Sequence, residues 1–254
     1  MRLQDKVALV SGAGNGIGRA IAELFAAEGA AVAVAEIEPD SGKAVADGIV
    51  ARGGRALAQV TDIADMAAVQ AAADATVAAF GRIDVLVNNA AAFVFGGIDE
   101  ITQADWDQVL GVNVVGYANT VKACLPALRA AGGGAIVNVA SVSSFVAQPR
   151  FIPYNASKGA VAQLTRCLAM DLATDNIRVN AICPGSIKTR ATDRHIARLG
   201  LDPEQAYRDF GAAALMNRLG RPEEIATVAL FLATADSSFM TGAHIVVDGG
   251  ATLD

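Results

Sequence analysis

The chain has 254 residues, of which 53% are hydrophobic and 18% charged, with a formal net charge of −6. That length suits one α/β domain with a substantial core, and so small a charged fraction suits strands covered on both faces. There is no basic tract, no aromatic-basic interleaving and no uncharged apolar run of membrane-spanning length, so neither nucleic acid nor a membrane is an expected partner.

The first apolar run, Val7–Val10, leads directly into Ser11-Gly12-Ala13-Gly14-Asn15-Gly16-Ile17-Gly18. A run of that kind is not a signal peptide, and a cytoplasmic location is the expectation. Beyond the glycines, Ile17, Ala20, Ile21, Leu24 and Phe25 fall on one helical stripe. Strand, glycine turn and helix together are the context of a dinucleotide fingerprint, in which the turn approaches a pyrophosphate and the helix N-terminus offers free N–H groups. A second apolar run, Ala31–Ala35, ends in Glu36, eighteen residues after Gly18, near the distance at which an acidic side chain meets the adenosine ribose. A carboxylate there accepts from a 2′-hydroxyl and repels a 2′-phosphate. No cation stands at Asn15 or at Ile37 to offset that repulsion, so NAD is the expected cofactor.

Further strand-like runs follow at Ala56–Val60, Val85–Val87, Ala135–Val139, Ile177–Ile182 and Ile245–Val247, with helical stretches such as Ala67–Phe80 and Val161–Leu172 between them. This alternation predicts a doubly wound parallel sheet of about seven strands, a single Rossmann-type α/β domain with ligands along its carboxyl edge. Gly132-Gly133-Gly134 reads as the turn into the fifth strand. Gly12, Asn88, Ser141 and Pro184 lie at or just beyond strand ends and converge on that edge. The mixed segment 185–219 is expected to be a substrate lid. Cys124, Cys167 and Cys183 are odd in number and lack a Cys-x-x-Cys spacing, which fits buried free thiols. His195 and His244 are too separated for a metal cluster, and no metal is expected.

Tyr154 and Lys158 are four residues apart, on one face of a helix, and Ser141 lies thirteen residues upstream. A phenol titrates near 10, and an adjacent cation that favours the phenolate would bring it toward neutrality. The expectation is therefore an activated proton acceptor. Asn113, in Gly111-Val112-Asn113-Val114, is ambiguous on its chemistry alone and could simply satisfy a bent helix.

Together these residues resemble the short-chain dehydrogenase/reductase family over essentially the whole chain. Gly12, Gly16 and Gly18 match its Gly-x-x-x-Gly-x-Gly spacing, and Asn15 stands where the extended branch has glycine. The resemblance implies that Asp62 and Ile63 meet adenine and that Asn89, Ala90 and Ala91 form the strand-four signature, with Ala91 replacing the usual glycine. It implies a catalytic tetrad of Asn113, Ser141, Tyr154 and Lys158, with Asn113 anchoring a proton-relay water beside Lys158. Lys158 would also hold the nicotinamide ribose. Pro184, Gly185, Ile187 and Thr189 would form the nicotinamide-side loop, although Thr189 could equally cap the helix after it. Asp248-Gly249-Gly250 resembles the family's C-terminal signature. A homotetramer or homodimer is implied as well.

The expected reaction is NAD-dependent interconversion of a secondary alcohol and a ketone, with Tyr154 as general acid/base and Ser141 orienting the reacting oxygen. An NADP-dependent carbonyl reductase, a sugar or polyol dehydrogenase and a non-catalytic NAD sensor are the alternatives. No Gly-x-Ser-x-Gly elbow supports a hydrolase. Phe93, Phe95 and Phe145, with Ile196, Leu199, Phe210, Leu215 and Met216, suggest an apolar substrate pocket, and Ser143 and Gln148 are candidate polar contacts. Arg190, Arg194 and Arg198 recur every four residues, as a solvated helix face or as a site for an anionic substrate.

Overall fold

The computed structural model describes residues 1–253. Seven strands form one parallel sheet: β1 (Val7–Ser11), β2 (Ala31–Glu36), β3 (Arg55–Val60), β4 (Val85–Asn88), β5 (Gly134–Val139), β6 (Ile177–Pro184) and β7 (His244–Val247), in the order β3-β2-β1-β4-β5-β6-β7. The doubly wound sheet expected from the alternation of elements is thus the observed one. Strand ends move by one or two residues, so Glu36, Asn88 and Pro184 close their strands rather than follow them.

Alternation along each strand divides the interior into two cores. Val10, Val34, Val87, Val137 and Val139 face helices α1 (Gly16–Ala27), α2 (Pro39–Ala51) and a later helix, Pro222–Ala233. Leu9, Ala33, Leu86, Ile136 and Ala181 face α3 (Met66–Phe80), the helix Gly116–Ala130 and the helix Ile152–Leu172. A buried polar ladder crosses the second layer: Asn88 Nδ2 donates to Asn138 Oδ1 at 2.9 Å, and Asn138 Nδ2 donates to Thr165 Oγ1 at 2.9 Å. Such a chain satisfies each amide it buries and ties β4, β5 and the helix Ile152–Leu172 together.

Helix α4 (Gln103–Leu110) passes through a π-helical turn, Gly111–Val115, into α5 (Gly116–Ala130). Helix α6 (Ile152–Leu172) is longer than its apolar pattern indicated, beginning with Pro153 in its first turn and so including Tyr154 and Lys158. The segment expected as a lid contains two helices, α7 (Arg190–Arg198) and α8 (Pro203–Ala212), before α9 (Pro222–Ala233). Cys124 and Cys183 are buried free thiols, but Cys167 is exposed, because it lies on the outer face of α6. Among the described residues, no helix is long and apolar enough to cross a membrane.

Candidate active site

The sheet order reverses between β1 and β4, which opens a crevice at their carboxyl ends. The glycine turn closes one side of it under tight steric demands. Gly12 and Gly16 have φ of +62° and +53°, values glycine adopts without cost. A Cβ on Gly12 would stand 2.7 Å from Ala90 Cα, and one on Gly18 would strike the Gly12 carbonyl. Asn89 fastens the turn by donating from Nδ2 to the carbonyls of Ser11 and Gly12 at 3.1 and 2.9 Å. Ser11 Oγ in turn accepts the Asn89 N–H at 3.0 Å. Asn15 precedes α1 without a side-chain cap, so the first N–H groups of that helix have no side-chain acceptor supplied by Asn15.

A cleft of about 540 Å³ runs from this turn to α7. Gly12, Asn15, Gly16, Ile17, Glu36 and Ile37 line it, followed by Asp62, Ile63, Asn89, Ala90, Ala91 and Thr189. The Glu36 carboxylate accepts N–H bonds from Gly14 at 2.8 Å, Ile37 at 2.9 Å and Glu38 at 3.1 Å. Its charge is therefore fixed in place beside the glycine turn. Asp62 accepts the Ala64 N–H at 2.9 Å and so caps its own turn while facing the cleft. Thr189 likewise caps α7 through the Thr192 N–H at 3.4 Å. Pro184, Gly185 and Ile187 are not part of this lining. Gly185 N–H donates to the Val247 carbonyl at 3.1 Å, and a Cβ there would meet Asp248 at 2.7 Å. This close approach explains why Asp248-Gly249-Gly250 sits where it does.

Ser141 and Tyr154 meet. The nearby Ser141 hydroxyl acts to lower the titration of the phenol, but burial outweighs it and pushes Tyr154 up to about 12. The expected downward shift does not occur in this cofactor-free protein. The physical reason is the packing of aromatic rings against the half-buried Tyr154: Phe93 is stacked on it at 5.1 Å, with Phe95 at 6.1 Å and Phe151 at 6.4 Å between centroids. Lys158 is 1% exposed, and burial brings its ammonium down to about 7. Its Nζ donates to the Val139 carbonyl at 2.8 Å and lies 5.7 Å from the Tyr154 ring centre. Tyr117, fully buried, donates to that same carbonyl at 3.1 Å.

Asn113 sits inside the π-helical turn, fully buried. Its Oδ1 accepts the Ala92 N–H at 2.7 Å, and its Nδ2 donates to the Ala92 carbonyl at 3.0 Å and to Ser157 Oγ at 2.9 Å. The side chain thus clamps the loop after β4 to α6 and does not reach Lys158. π-Turns of this kind often mark functional positions.

Several pocket expectations need correction. Ser143 Oγ donates to Gln148 Oε1 at 3.1 Å, so in this structure each satisfies the other. Phe145, Leu199, Leu215 and Met216 are exposed because they lie on outer loop and helix surfaces. Arg190 and Arg194 do not form a purely solvated face: they pair with Glu38 at 2.7 and 3.1 Å. Phe93 does line the cleft. His195, which no sequence pattern singled out as a site residue, also lines the cleft, 4.5 Å from Phe95, and Phe151 packs against it at 5.8 Å. The one available signal was the position of Phe151 three residues before Tyr154.

Comparison with known proteins agrees with this geometry. A family profile described as enoyl-(acyl carrier protein) reductase matches residues 12–252. The chain is 40% identical to the meso-2,3-butanediol dehydrogenase of Serratia marcescens, covering 99% of this chain and 96% of that enzyme. It is also 40% identical to the trans-4-hydroxycyclohexanecarboxylate dehydrogenase of Sinomonas cyclohexanicum, over 99% and 94% of the two chains. A 7α-hydroxysteroid dehydrogenase solved with NADH and 7-oxo glycochenodeoxycholic acid superposes with a TM-score of 0.90 at 35% identity, covering 98% of this chain and 95% of that one. The chain belongs to the short-chain dehydrogenase/reductase family and is an oxidoreductase acting on CH–OH groups.

Proposed function

We propose that the protein interconverts a secondary alcohol and a ketone with NAD, using Tyr154 as the general acid and base. The observation that carries this reading is the clustering of Ser141, Tyr154 and the buried Lys158 amine, 5.7 Å from the Tyr154 ring centre, at the same sheet edge as the glycine turn.

The residues present fit a dinucleotide. Gly12, Gly16 and Gly18 let the backbone approach a pyrophosphate, and the start of α1 at Asn15 and Ile17 supplies N–H groups for it. Glu36, with Ile37 beside it, faces the position of an adenosine ribose, while Asp62 and Ile63 flank the adenine side. Asn89, Ala90 and Ala91 would form the floor under the cofactor, and Pro184, Gly185, Ile187 and Thr189 would hold its nicotinamide side. A bound nicotinamide supplies the hydride acceptor or donor.

Ser141 donates to the substrate oxygen and holds it against the phenol. In the resting protein the proton is on Tyr154, the form that protonates a carbonyl oxygen during ketone reduction. Alcohol oxidation requires the phenolate, which Lys158 favours in its protonated form; burial brings that ammonium down to about 7, so its charged fraction falls as pH rises above neutrality. Asn113 positions the loop after β4 and the helix carrying both residues.

Substitution of Tyr154→Phe tests the assignment, with hydride transfer followed by absorbance at 340 nm and NAD binding by calorimetry. Turnover should fall about a thousandfold while NAD affinity is retained. Full activity in the variant would remove Tyr154 from the chemistry.

A further inference from the structure

Charge on the cleft wall is divided by element. Among the residues that line it, the carboxylates Glu36, Glu38 and Asp62 stand at or just after the ends of β2 and β3, whereas the guanidiniums Arg190, Arg194 and Arg198 all belong to α7. The glycine turn between them offers N–H groups but no charged side chain. A dinucleotide's diphosphate carries two negative charges, which three carboxylates on one wall would repel. The opposing charge on the lining comes only from α7.

Arg190 spans this gap. It follows Thr189, whose Cβ lies 3.3 Å from where a Cβ on Gly16 would stand, so α7 begins against the glycine turn. Its guanidinium reaches Glu38 at 2.7 Å. Glu38 is joined back to the turn through Glu36, which accepts N–H bonds from Glu38 at 3.1 Å and from Gly14 at 2.8 Å. The Arg190 side chain therefore runs from beside Gly16 to Glu38, across the glycine turn. Arg194, one helical turn further on the same face, meets the same carboxylate at 3.1 Å. One carboxylate shared by two guanidiniums leaves a positive charge over. Each guanidinium gives Glu38 a single hydrogen bond, and its other N–H donors have no protein acceptor among the described residues.

We propose that Arg190 and Arg194 bind the diphosphate of the dinucleotide, with Glu38 aiming their guanidiniums at it. The inference rests on the dinucleotide reading given above. A guanidinium fork matches two phosphate oxygens at once, which a point-like ammonium does not. A 2′-phosphate offers the same chemistry, but it would stand beside the Glu36 carboxylate, so the diphosphate is the better-matched anion.

The test measures Kd by calorimetry for ADP-ribose, which carries the diphosphate, and for 2′-AMP, which carries only the 2′-phosphate. Both arginines are exposed, so their substitution leaves the fold intact. Arg190→Gln and Arg194→Gln should each weaken ADP-ribose binding about tenfold, the worth of one charge-assisted hydrogen bond, and the double variant should weaken it further. Arg190→Lys, which keeps the charge without the fork, should restore part of the loss. The unsubstituted protein should bind 2′-AMP more weakly than ADP-ribose or not at all. Unchanged ADP-ribose affinity in the double variant, a loss confined to 2′-AMP, or no ADP-ribose binding to the unsubstituted protein would each overturn the proposal. No turnover enters these measurements, so an inactive protein that shows the expected ADP-ribose series counts against the alcohol–ketone reading alone.

Discussion

The ring of Phe93 lies on that of Tyr154, with centroids 5.1 Å apart and planes inclined by 21°. The proposed acid/base therefore has an apolar lid of its own, carried by the loop that Asn113 clamps through Ala92. The contact excludes water from one face of the phenol, and burial is the leading cause of its upward titration. Phe93→Ala should readmit water and ease the phenol downward by about one unit. Because oxidation needs the phenolate, the acid limb of the pH profile of kcat/KM for alcohol oxidation should move to lower pH by a similar amount. A profile that does not move would mean that Phe93 swings away before the chemistry.

Glu36 is expected to decide between the two nicotinamide dinucleotides. Three backbone N–H groups hold its carboxylate beside the glycine turn, so the side chain cannot easily rotate away from a 2′-phosphate. The double variant Glu36→Ala, Ile37→Arg removes the repulsion and adds a cation. The ratio of kcat/KM for NADP over NAD should rise about a hundredfold or more, since like charge and its replacement by an ion pair act in the same direction. If steady-state kinetics with both cofactors give an unchanged ratio, another group makes the choice.

Much of this architecture was legible because it is local. In β1 four apolar residues lead to Ser11 and the glycine turn, and in β2 five lead to Glu36, and such patterns survive packing unchanged. Tyr154 and Lys158 share a helix face by spacing alone. What was not legible depends on tertiary neighbours. No periodicity shows that Ser143 will spend its hydroxyl on Gln148, or that α7 will bring His195 to Phe151 across the cleft. The sign of the Tyr154 shift was misread for the same reason: adjacency to a cation is written in the sequence, whereas the ring stack that dries the phenol is not.

Glu38 joins the loop after β2 to α7 by accepting from Arg190 and Arg194, and their guanidiniums hold its carboxyl below the usual carboxylate range. Glu38, Arg190 and Arg194 all line the cleft. Each pair is exposed, so neither is worth much to global stability. Its effect should appear instead in cofactor capture. Glu38→Gln should raise KM for NAD about threefold with little change in kcat, and the difference from the unsubstituted enzyme should shrink as salt is raised. Equal KM values at low salt would show that α7 needs no tether.

Lys158 makes stability depend on pH in a direction opposite to that of a salt-bridged lysine. Its folded titration is lowered to about 7, well below the value near 10.4 of an unfolded lysine. Between those two points the unfolded chain holds a proton that the folded chain lacks, so stability rises with pH across that window. Below about 7 both states are protonated and the cost of burying the charge is fully present. The raised titrations of Tyr154 and Cys183 act only above their unfolded values, where they oppose the gain. Urea midpoints of the cofactor-free protein should therefore increase from pH 7.0 to 8.5, by about 1–2 kcal/mol in unfolding free energy from this residue. Lys158→Met keeps the packed stem, removes the ammonium and leaves the Val139 carbonyl its bond from Tyr117. The variant should be more stable at pH 7.0 and lose that rise, while its turnover collapses. A variant with the same pH slope as the unsubstituted protein would show that the Lys158 amine stays charged in the fold, held by groups other than the carbonyl it now touches.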